Sequence, residues 1–227
     1  RRFKFMINTP IQRLVIVRHG QSELNSVNNP QSPGFKRLEI LTEKRDADIP
    51  LTTLGIQQSE QTGRYLISHP NFDICFSSPY ERALKSAQII SAQFPYHMKI
   101  YIDDLLRDKE FGKLHGLSTE EKERKYQKER AMQEREGKYW YRPPQGENYS
   151  DVKMRINLFL NNLNLYYQKN NILILTHGLP SLMFRAIFDA LDERQVLSLE
   201  KLSNCGIIDY INKDGKMTLF AFNKIAY

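Results

Sequence analysis

The chain has 227 residues, of which 41% are hydrophobic and 26% are charged, and its formal net charge is +7 at pH 7. This ordinary globular composition is sufficient for one α/β domain that spans residues 1–227 and buries a sizeable core. No apolar run approaches the roughly 20 residues that cross a bilayer, and residues 1–12 contain no apolar stretch that resembles a signal peptide, so we expect neither a transmembrane helix nor a membrane partner.

Short apolar runs alternate with amphipathic stretches along the chain, a pattern typical of a doubly wound α/β sheet. In the first half, Leu14–Val17 is predicted as a strand, and "PLTTLGIQQSEQTGRYLIS" as a helix after a turn at Pro50. The segment "FDICFSS" is a second strand. Ser78 as N-cap, Pro79 at the first helical position and Glu81 as capping-box partner then predict a helix through "ERALKSAQIISAQF".

The second half continues the alternation. The segment "MKIYI" is predicted as a third strand and "NILILTHG" as a fourth, with a helix that begins near Pro180. Between them, the stretch Ser118–Lys138 mixes both signs of charge and has few apolar anchors, which indicates a solvated helix rather than a nucleic-acid surface. The segments "CGIIDYI" and "MTLFAF" form a closing pair of strands joined by the turn "NKDGK".

Two of the predicted strands end in the same dipeptide. Both "LVIVRHG" and "ILILTHG" are continuous apolar runs, as strands covered on both faces should be, and both finish in His-Gly. Ligands of open α/β sheets bind beyond the carboxyl ends of the strands. If the two strands are neighbours, Arg18, His19 and His177 meet in one pocket, and Arg82 joins them from the first turn of the helix after the second strand.

These four residues favour phosphoryl chemistry. Two guanidiniums bind a phosphoryl group through bidentate hydrogen bonds. One imidazole can attack phosphorus through a neutral ring nitrogen, while the other can stay protonated and stabilise charge on the equatorial oxygens. A leaving alkoxide also needs a proton, and the segment after the third strand offers four carboxyl groups for general acid catalysis: Asp103, Asp104, Asp108 and Glu110.

Five segments, in order and spacing, resemble the histidine phosphatase superfamily, which includes the cofactor-dependent phosphoglycerate mutases. They are "LVIVRHGQSELN", "FSSPYERALKSA", "LLRDKEFGKLHG", "GENYSDVKMRI" and "LILTHG". The resemblance implies a three-layer α/β/α sandwich with a mostly parallel sheet, a phosphohistidine intermediate, and no metal or organic cofactor. By position, it implies that His19 is the nucleophile, that Arg18, Arg82 and His177 complete the phosphate pocket, and that Asn25 adds a hydrogen bond to phosphate.

The sequence departs from the family at two positions. The family's proton donor is usually a glutamate four residues before the glycine of this segment, and that position here is Asp108, with Glu110 two residues later. We favour Asp108 as the acid over Glu110, which we place at the substrate, because position in a tight segment fixes direction better than residue type does. Gln21 stands where many members carry glutamate, which softens the charge at the pocket rim.

The segment after the acid lacks the paired arginines associated with the family's mutases. We therefore predict a metal-independent phosphomonoester hydrolase that acts on a small phosphorylated substrate or a phosphoprotein. A phosphoglycerate mutase or a sugar bisphosphate phosphatase is the nearest alternative. From another class, the chain could be a catalytically weak phosphate-binding interaction module, an idea that only the aspartate at position 108 encourages.

The remaining features receive structural interpretations. Residues 1–12 are expected to be an N-terminal extension, and residues 113–145 a lid or specificity insert. Within this insert, His115 and the aromatic run 139–141 are expected to pack on the core, and we assign no role to His69 and His97. The two cysteines, Cys75 and Cys205, follow neither a disulfide nor a zinc pattern, so we expect free thiols in a reducing compartment and a cytoplasmic protein.

Overall fold

The computed structural model describes residues 9–27, 44–115, 117 and 124–227. Residues 1–8 of the predicted N-terminal extension lie outside this described part, as do residues 116 and 118–123 of the predicted insert. None of the helices in the described part is long and apolar enough to span a bilayer.

One six-stranded sheet organises the described residues. Its strands are β1 (Arg13–Arg18), β2 (Ile74–Ser77), β3 (Ile100–Ile102), β4 (Asn171–Thr176), β5 (Ile207–Lys213) and β6 (Lys216–Lys224). Their order across the sheet is β3-β2-β4-β1-β5-β6. The first four strands run parallel, whereas β5 and β6 form an antiparallel hairpin whose first strand is antiparallel to β1. This confirms the predicted mostly parallel sheet and the predicted closing pair.

The helices cover both faces of this sheet. They are α1 (Glu23–Val27), α2 (Thr53–Leu66), α3 (Glu81–Ser91), α4 (Gln127–Trp140), α5 (Tyr149–Tyr166), α6 (Gly178–Phe188) and α7 (Glu193–Ser198). Helices α2 and α3 pack with one apolar cluster, and helices α5 and α6 pack with the other on the opposite face. The predicted three-layer α/β/α arrangement is therefore confirmed.

The alternation of side chains along β1 explains why its sequence is a continuous apolar run. Leu14 and Ile16 belong to the cluster under α5 and α6, whereas Val15 and Val17 belong to the cluster under α2 and α3. All four side chains are fully buried. Because a central parallel strand has helices on both faces, it carries no polar face, and its chemistry is confined to its carboxyl end.

Two helix starts differ from the sequence prediction. Helix α3 begins at Glu81 with Tyr80 as its N-cap and no side-chain capping bond, so the predicted N-cap at Ser78 is wrong. The hydroxyl of Ser78 lies instead 2.8 Å from Nε2 of His177. Helix α6 begins at Gly178, two residues before the predicted Pro180, because His177 already serves as its N-cap. Arg82 keeps its predicted place in the first turn of α3.

The predicted solvated helix is present over part of its range. Helix α4 covers Gln127–Trp140, and Tyr139 is its one buried residue. The aromatic run that follows divides between core and solvent, since Tyr139 and Tyr141 are buried and Trp140 is exposed. The run thus anchors the end of α4 on the core, as predicted.

Candidate active site

The carboxyl ends of two neighbouring strands bring the predicted phosphate residues together. Strands β1 and β4 pair in parallel, with Arg18 opposite Thr176. His19 and His177 follow directly, and their ring centroids lie 5.0 Å apart. Arg82 is nearly fully buried beside them, at the start of α3. We call these four residues (Arg18, His19, Arg82 and His177) the phosphate cage.

His19 is held as a neutral imidazole with one defined proton position. Its Nδ1 lies 2.7 Å from the carbonyl oxygen of Gly20. A carbonyl oxygen only accepts, so Nδ1 carries the proton and Nε2 keeps its lone pair. Burial lowers the pKa of His19 well below its ordinary value, and the neighbouring His177 and the two guanidiniums lower it further. The side chain therefore presents a neutral nitrogen nucleophile.

Glycine follows His19 because the chain passes very close to helix α2 there. A Cβ at position 20 would collide with the carbonyl group of Gly55, and a Cβ at Gly55 would collide with the backbone of Gln21. The Gly20 amide also donates to the hydroxyl of Ser86 in α3. These contacts fix the backbone that carries the carbonyl acceptor of His19.

His177 is fully buried and keeps one ring nitrogen without a partner. Its Nε2 lies 2.8 Å from the hydroxyl of Ser78. Its Nδ1 makes no hydrogen bond in the described part of the chain and lies 3.6 Å from a carboxylate oxygen of Asp108. Burial lowers the pKa of His177 well below its ordinary value, and the guanidiniums of Arg82 and Arg18 lower it further, so the ring is neutral rather than protonated as expected from the sequence. We assign the ring proton to Nδ1, which faces the Asp108 carboxylate, with the Ser78 hydroxyl donating to Nε2.

Arg18 has the same kind of unused donor. Its Nη1 donates to the carbonyl oxygen of Leu202 at 2.6 Å, whereas its buried Nε has no partner among the described residues. Unpaired buried donors are costly and rare in folded proteins. Two of them, on Arg18 and His177, therefore mark a place where an acceptor-rich ligand belongs. A phosphoryl group, with its three equatorial oxygens, is such a ligand.

Arg82 is aimed by an acidic residue that the sequence analysis did not select. Its guanidinium donates to the carbonyl oxygen of Asp46 at 2.6 Å and contacts the carboxylate of the same residue at 3.3 and 3.4 Å. Its carbon Cζ also lies 4.9 Å from the ring centroid of Tyr80. Asp46 lies in a short 3-10 turn that is 36 residues from Arg82 in sequence, so no local sequence pattern predicts the contact.

The two acid candidates occupy different positions relative to the cage. The carboxylate of Asp108 lies 3.4 Å from an Arg82 nitrogen and 3.6 Å from Nδ1 of His177. The carboxylate of Glu110 instead accepts a hydrogen bond from the hydroxyl of Tyr80 at 2.8 Å. Asp108 thus contacts the cage directly, whereas Glu110 contacts it through Tyr80, whose ring packs on His177.

The other two acidic residues of that segment do not reach the cage. The Asp103 carboxylate accepts from the amide of Leu105 and caps a 3-10 turn, Asp104–Leu106. The Asp104 carboxylate is exposed and pairs with Arg107 at 2.9 Å. Neither contact is with a cage residue.

A buried arginine fixes the backbone of the segment Asp103–Glu110, which carries the acid candidates and which we call the acid segment. Arg155, in α5, donates to the carbonyl oxygens of Leu105 and Asp108 at 2.6 and 3.1 Å. It also pairs with the carboxylate of Glu147 at 2.9 Å. That carboxylate accepts from the amide of Glu110 at 3.0 Å as well. We call Arg155 and Glu147 the acid-segment clamp.

One of the five family-like segments contains both residues of this clamp, although the sequence analysis gave them no role. Both residues belong to "GENYSDVKMRI", a segment that the resemblance included without assigning any role to its members. The capping box formed by Asn148 and Asp151 starts α5 directly after Glu147. Glu147 stands just before the first turn of this helix and Arg155 lies within the helix, and their side chains pair.

Asn25 and Gln21, for which we predicted roles at the phosphate and at the pocket rim, each form a hydrogen bond with another side chain. Oδ1 of Asn25 accepts from Nδ2 of Asn204 at 3.0 Å, and Asn204 also donates to the carbonyl oxygen of His19. The amide nitrogen of Asn25 is the group suited to phosphate, and this contact stays a prediction. Oε1 of Gln21 accepts from the hydroxyl of Thr52, the N-cap of α2, so its predicted rim role also stays a prediction.

The remaining histidines and the two cysteines have no predicted catalytic role. His69 lies 3.7 Å from Asp209, which pairs with Arg13 at the opposite end of β1. His97 is exposed, and His115 packs against Phe111 with a centroid distance of 6.3 Å. Both cysteines are buried and free, as predicted.

An open cleft of about 420 Å³ adjoins the cage. Arg18, Asp108 and Gly178 line it on the cage side. Its other walls are mostly apolar and are formed by Phe111, Leu114, Tyr141, Pro143, Tyr149 and Leu179. A volume of this size is sufficient for the organic part of a small ligand. No group of three or more His, Cys, Asp or Glu side chains suited to a metal ion occurs among the described residues.

Comparison with known proteins gives one family. The sequence profile of the histidine phosphatase superfamily, branch 1, matches residues 14–224. A 2,3-bisphosphoglycerate-dependent phosphoglycerate mutase of Mesorhizobium japonicum is 30% identical over 208 residues, which cover 88% of this chain and 93% of the relative.

Solved structures with the same fold include two phosphatases. The alpha-ribazole phosphatase of Shigella flexneri superposes with a TM-score of 0.75 at 20% identity, over 93% of this chain and 96% of that one. A phosphoserine phosphatase of Entamoeba histolytica, in complex with 3-phosphoglyceric acid, gives a TM-score of 0.71 at 23% identity, with the same coverage of 93% and 96%. At these identities the likeness concerns the fold.

Proposed function

This chain belongs to the histidine phosphatase superfamily, branch 1, and from that membership we propose that it is a metal-independent phosphomonoester hydrolase. The observation that carries the proposal is the pair of unpaired buried donors, Nε of Arg18 and Nδ1 of His177, beside a neutral His19. Donors for the equatorial oxygens and a nucleophile for phosphorus thus lie in one pocket.

In the first half-reaction, Nε2 of His19 attacks phosphorus and the bond from phosphorus to the ester oxygen breaks. Arg18, Arg82 and His177 stabilise the charge on the equatorial oxygens. Asp108 gives its proton to the departing oxygen, so that an alcohol leaves rather than an alkoxide. The products of this step are the alcohol and a phosphohistidine.

In the second half-reaction, a water molecule attacks the phosphohistidine. The Asp108 carboxylate takes a proton from the water, the bond from phosphorus to Nε2 breaks, and inorganic phosphate leaves. His19 returns to its neutral form, and the carbonyl oxygen of Gly20 keeps the proton on Nδ1 throughout. The same carboxyl group therefore serves as acid and then as base.

The geometry favours Asp108 over Glu110 as the proton donor. The Asp108 carboxylate contacts two cage residues and also lines the cleft where a leaving group would lie. The Glu110 carboxylate is engaged by the Tyr80 hydroxyl, and Glu110 does not line that cleft. We assign Glu110 to holding the Tyr80 ring against His177.

Hydrolysis rather than phosphoryl return is supported by the walls of the cleft. A mutase must hold a second anionic group of its substrate while the phosphoryl group moves to another oxygen. Beyond the cage, the described lining of the cleft is mostly apolar, and its cations are the two lysines Lys109 and Lys138 rather than paired arginines. Separate ammonium groups offer no bidentate fork for a second phosphoryl group, so this lining favours hydrolysis over phosphoryl return.

The proposed substrates are small phosphorylated molecules, and a phosphoprotein is a second class that remains open to test. The proposed location is the cytoplasm, which the free thiols Cys75 and Cys205 support.

A steady-state assay tests the proposed function. With nitrophenyl phosphate and excess EDTA, the purified chain should release phosphate, and vanadate, which resembles the phosphoryl transition state, should inhibit it. Activity that disappears in EDTA and returns with a divalent metal would contradict metal independence. With 3-phosphoglycerate, release of phosphate supports a hydrolase and appearance of 2-phosphoglycerate supports a mutase. Phosphate binding without turnover of any ester would indicate an interaction module.

A further inference from the structure

A second, mainly apolar cavity adjoins the cleft beside the cage. The cleft of about 420 Å³ described above and a neighbouring cavity of about 250 Å³ share five lining residues. These are Arg18, Lys138, Tyr149, Gly178 and Leu179. Because Arg18 lines both volumes, the second cavity, which we call the side lobe, lies next to the place where the phosphoryl group would bind.

The side lobe is lined mainly by aliphatic side chains from α6, α7 and the segment that follows α7. They are Leu179, Leu182, Val196, Leu197, Leu199 and Leu202. Leu197 is 40% exposed although it is a large apolar side chain. Exposed apolar surface inside a concave site favours an apolar ligand, because covering this surface removes it from water.

Two lysines stand at the same lobe. Lys138, at the end of α4, and Lys201, after α7, both line it, and both side chains are exposed. Neither ammonium group pairs with a carboxylate among the described residues. An aliphatic pocket with two cations therefore offers one surface for an apolar body and another for an anion.

We propose that the side lobe is the leaving-group subsite, and that it selects phosphomonoesters whose alcohol part has an apolar body ending in an anionic group. This inference rests on the proposed hydrolase function. The phosphoryl group lies in the cage, the ester oxygen lies beside Asp108, and the apolar body passes Leu179 into the side lobe. The distal anion then meets Lys138 and Lys201.

A homologous series of alkyl phosphates tests the apolar part of this inference. Ethyl, butyl and hexyl phosphate share the same reacting group and differ only in methylenes. If the lobe binds the chain, kcat/KM should rise roughly two- to fourfold per methylene, the upper figure being that of complete burial at about 0.8 kcal/mol each. The chemical step itself changes little along the series.

A substitution in the lobe separates binding there from general effects. Leu197→Asp places a charge in the apolar wall and should remove most of the gain in kcat/KM from ethyl to hexyl phosphate. Leu165→Asp is the matched control, because Leu165 is an exposed leucine of α5 that lines neither cavity. The control variant should keep the full chain-length gain.

The lysines are tested with hexyl phosphate and its analogue that carries a terminal carboxylate. The wild-type protein should prefer the carboxylate analogue several-fold at low ionic strength, and the preference should shrink with added salt. The double variant Lys138→Met, Lys201→Met should lose this preference through a higher KM for the carboxylate analogue, while the gain in kcat/KM from ethyl to hexyl phosphate remains. Lys216→Met, at an exposed lysine of β6, is the control.

The outcomes distinguish this inference from the function on which it rests. If nitrophenyl phosphate is turned over but kcat/KM is flat along the alkyl series, or if Leu197→Asp lowers all esters equally, the side lobe is not a leaving-group subsite. If the carboxylate analogue gains nothing, the anionic end is wrong. If no ester is turned over by the wild-type protein, the hydrolase proposal fails and the subsite fails with it.

Discussion

The phosphate cage and the acid segment are neighbours, yet they are built in different ways. The cage residues follow regular strands or start a regular helix, and His19, Arg82 and His177 are almost completely buried. The acid segment is irregular, and the side chain of Asp108 is 27% exposed. Its geometry depends on donors from Arg155 and Thr176 to its carbonyl oxygens and on the Glu147 carboxylate, which accepts from the Glu110 amide.

This difference teaches how the two parts of the reaction depend on structure. Backbone pairing between β1 and β4 fixes the cage, so it should persist when single side chains in the acid segment change. In the acid segment, side chains from other elements bind the backbone, so the position of Asp108 should respond to substitutions that do not touch the substrate. The predictions below test this division, in order of decreasing effect.

The largest effect is expected from removal of the nucleophile. His19→Ala should lower turnover of every phosphomonoester by roughly 10⁴-fold or more, because no covalent intermediate can form. The cage backbone should remain folded, as judged by a cooperative unfolding transition. His97→Ala, which removes an exposed histidine away from the cage, should keep full activity. Retention of activity by the His19 variant would end the account of the cage.

Removal of the acid should cause a large loss of turnover that is selective for esters with a poor leaving group. Asp108→Asn should lower turnover of an alkyl phosphate by roughly 10²-fold or more, the usual range for general acid catalysis. The effect on nitrophenyl phosphate should be clearly smaller, since nitrophenolate leaves without protonation. Glu110→Gln is the matched control and should be milder on both esters. If the selectivity follows Glu110→Gln instead, the acid lies two residues further along the segment.

Loss of the acid-segment clamp should lower kcat with the same ester selectivity as loss of the acid, but by a smaller factor. Arg155→Met removes the donors to the carbonyl oxygens of Leu105 and Asp108, so the carboxyl group loses its fixed position. We expect roughly tenfold lower kcat on an alkyl phosphate and little change on nitrophenyl phosphate. Arg155→Lys should rescue little, because an ammonium group cannot match the fork of a guanidinium. Equal losses on both esters would mean that Arg155 only stabilises the fold.

The sequence predicted the cage better than its supports for a physical reason. An apolar run such as Leu14–Val17 predicts a buried central strand. The residues that follow such a strand lie at the carboxyl edge of the sheet, where ligands bind. Arg82 was placed correctly even though the predicted N-cap at Ser78 was wrong, because a two-residue error still left it in the first turn of α3.

The supports depend on contacts between distant segments. Asp46 reaches Arg82 across 36 residues from a short irregular turn, and Arg155 reaches the acid segment across about 50. No periodicity or capping pattern encodes such pairs. The hydroxyl of Ser78 is a further case, since its partner His177, which follows β4, is 99 residues away in sequence.

The smallest expected effect concerns the pH dependence of stability. The folded pKa values of His19 and His177 are depressed below the ordinary value of 6.5. Between the folded and the unfolded values only the unfolded chain binds these protons, so the free energy of unfolding should fall as pH drops below about 6.5. Each histidine contributes at most about 1.4 kcal/mol per pH unit.

Urea titrations between pH 7 and pH 5 measure this dependence. The double variant His19→Gln, His177→Gln should show a flatter profile than the wild-type protein, because neither side chain titrates. His97→Gln, at an exposed histidine, should leave the profile unchanged. A wild-type profile that is already flat would contradict neutral, buried imidazoles in the cage.

The central claim is that Nε2 of His19 carries the phosphoryl group, and rapid quenching with a labelled phosphomonoester followed by phosphorus NMR of the trapped protein tests it most directly. Because Nδ1 donates to the carbonyl oxygen of Gly20, the account predicts acid-labile, alkali-stable phosphate on Nε2 of this one residue. Phosphate on Nδ1, on another residue, or on none during turnover would contradict it.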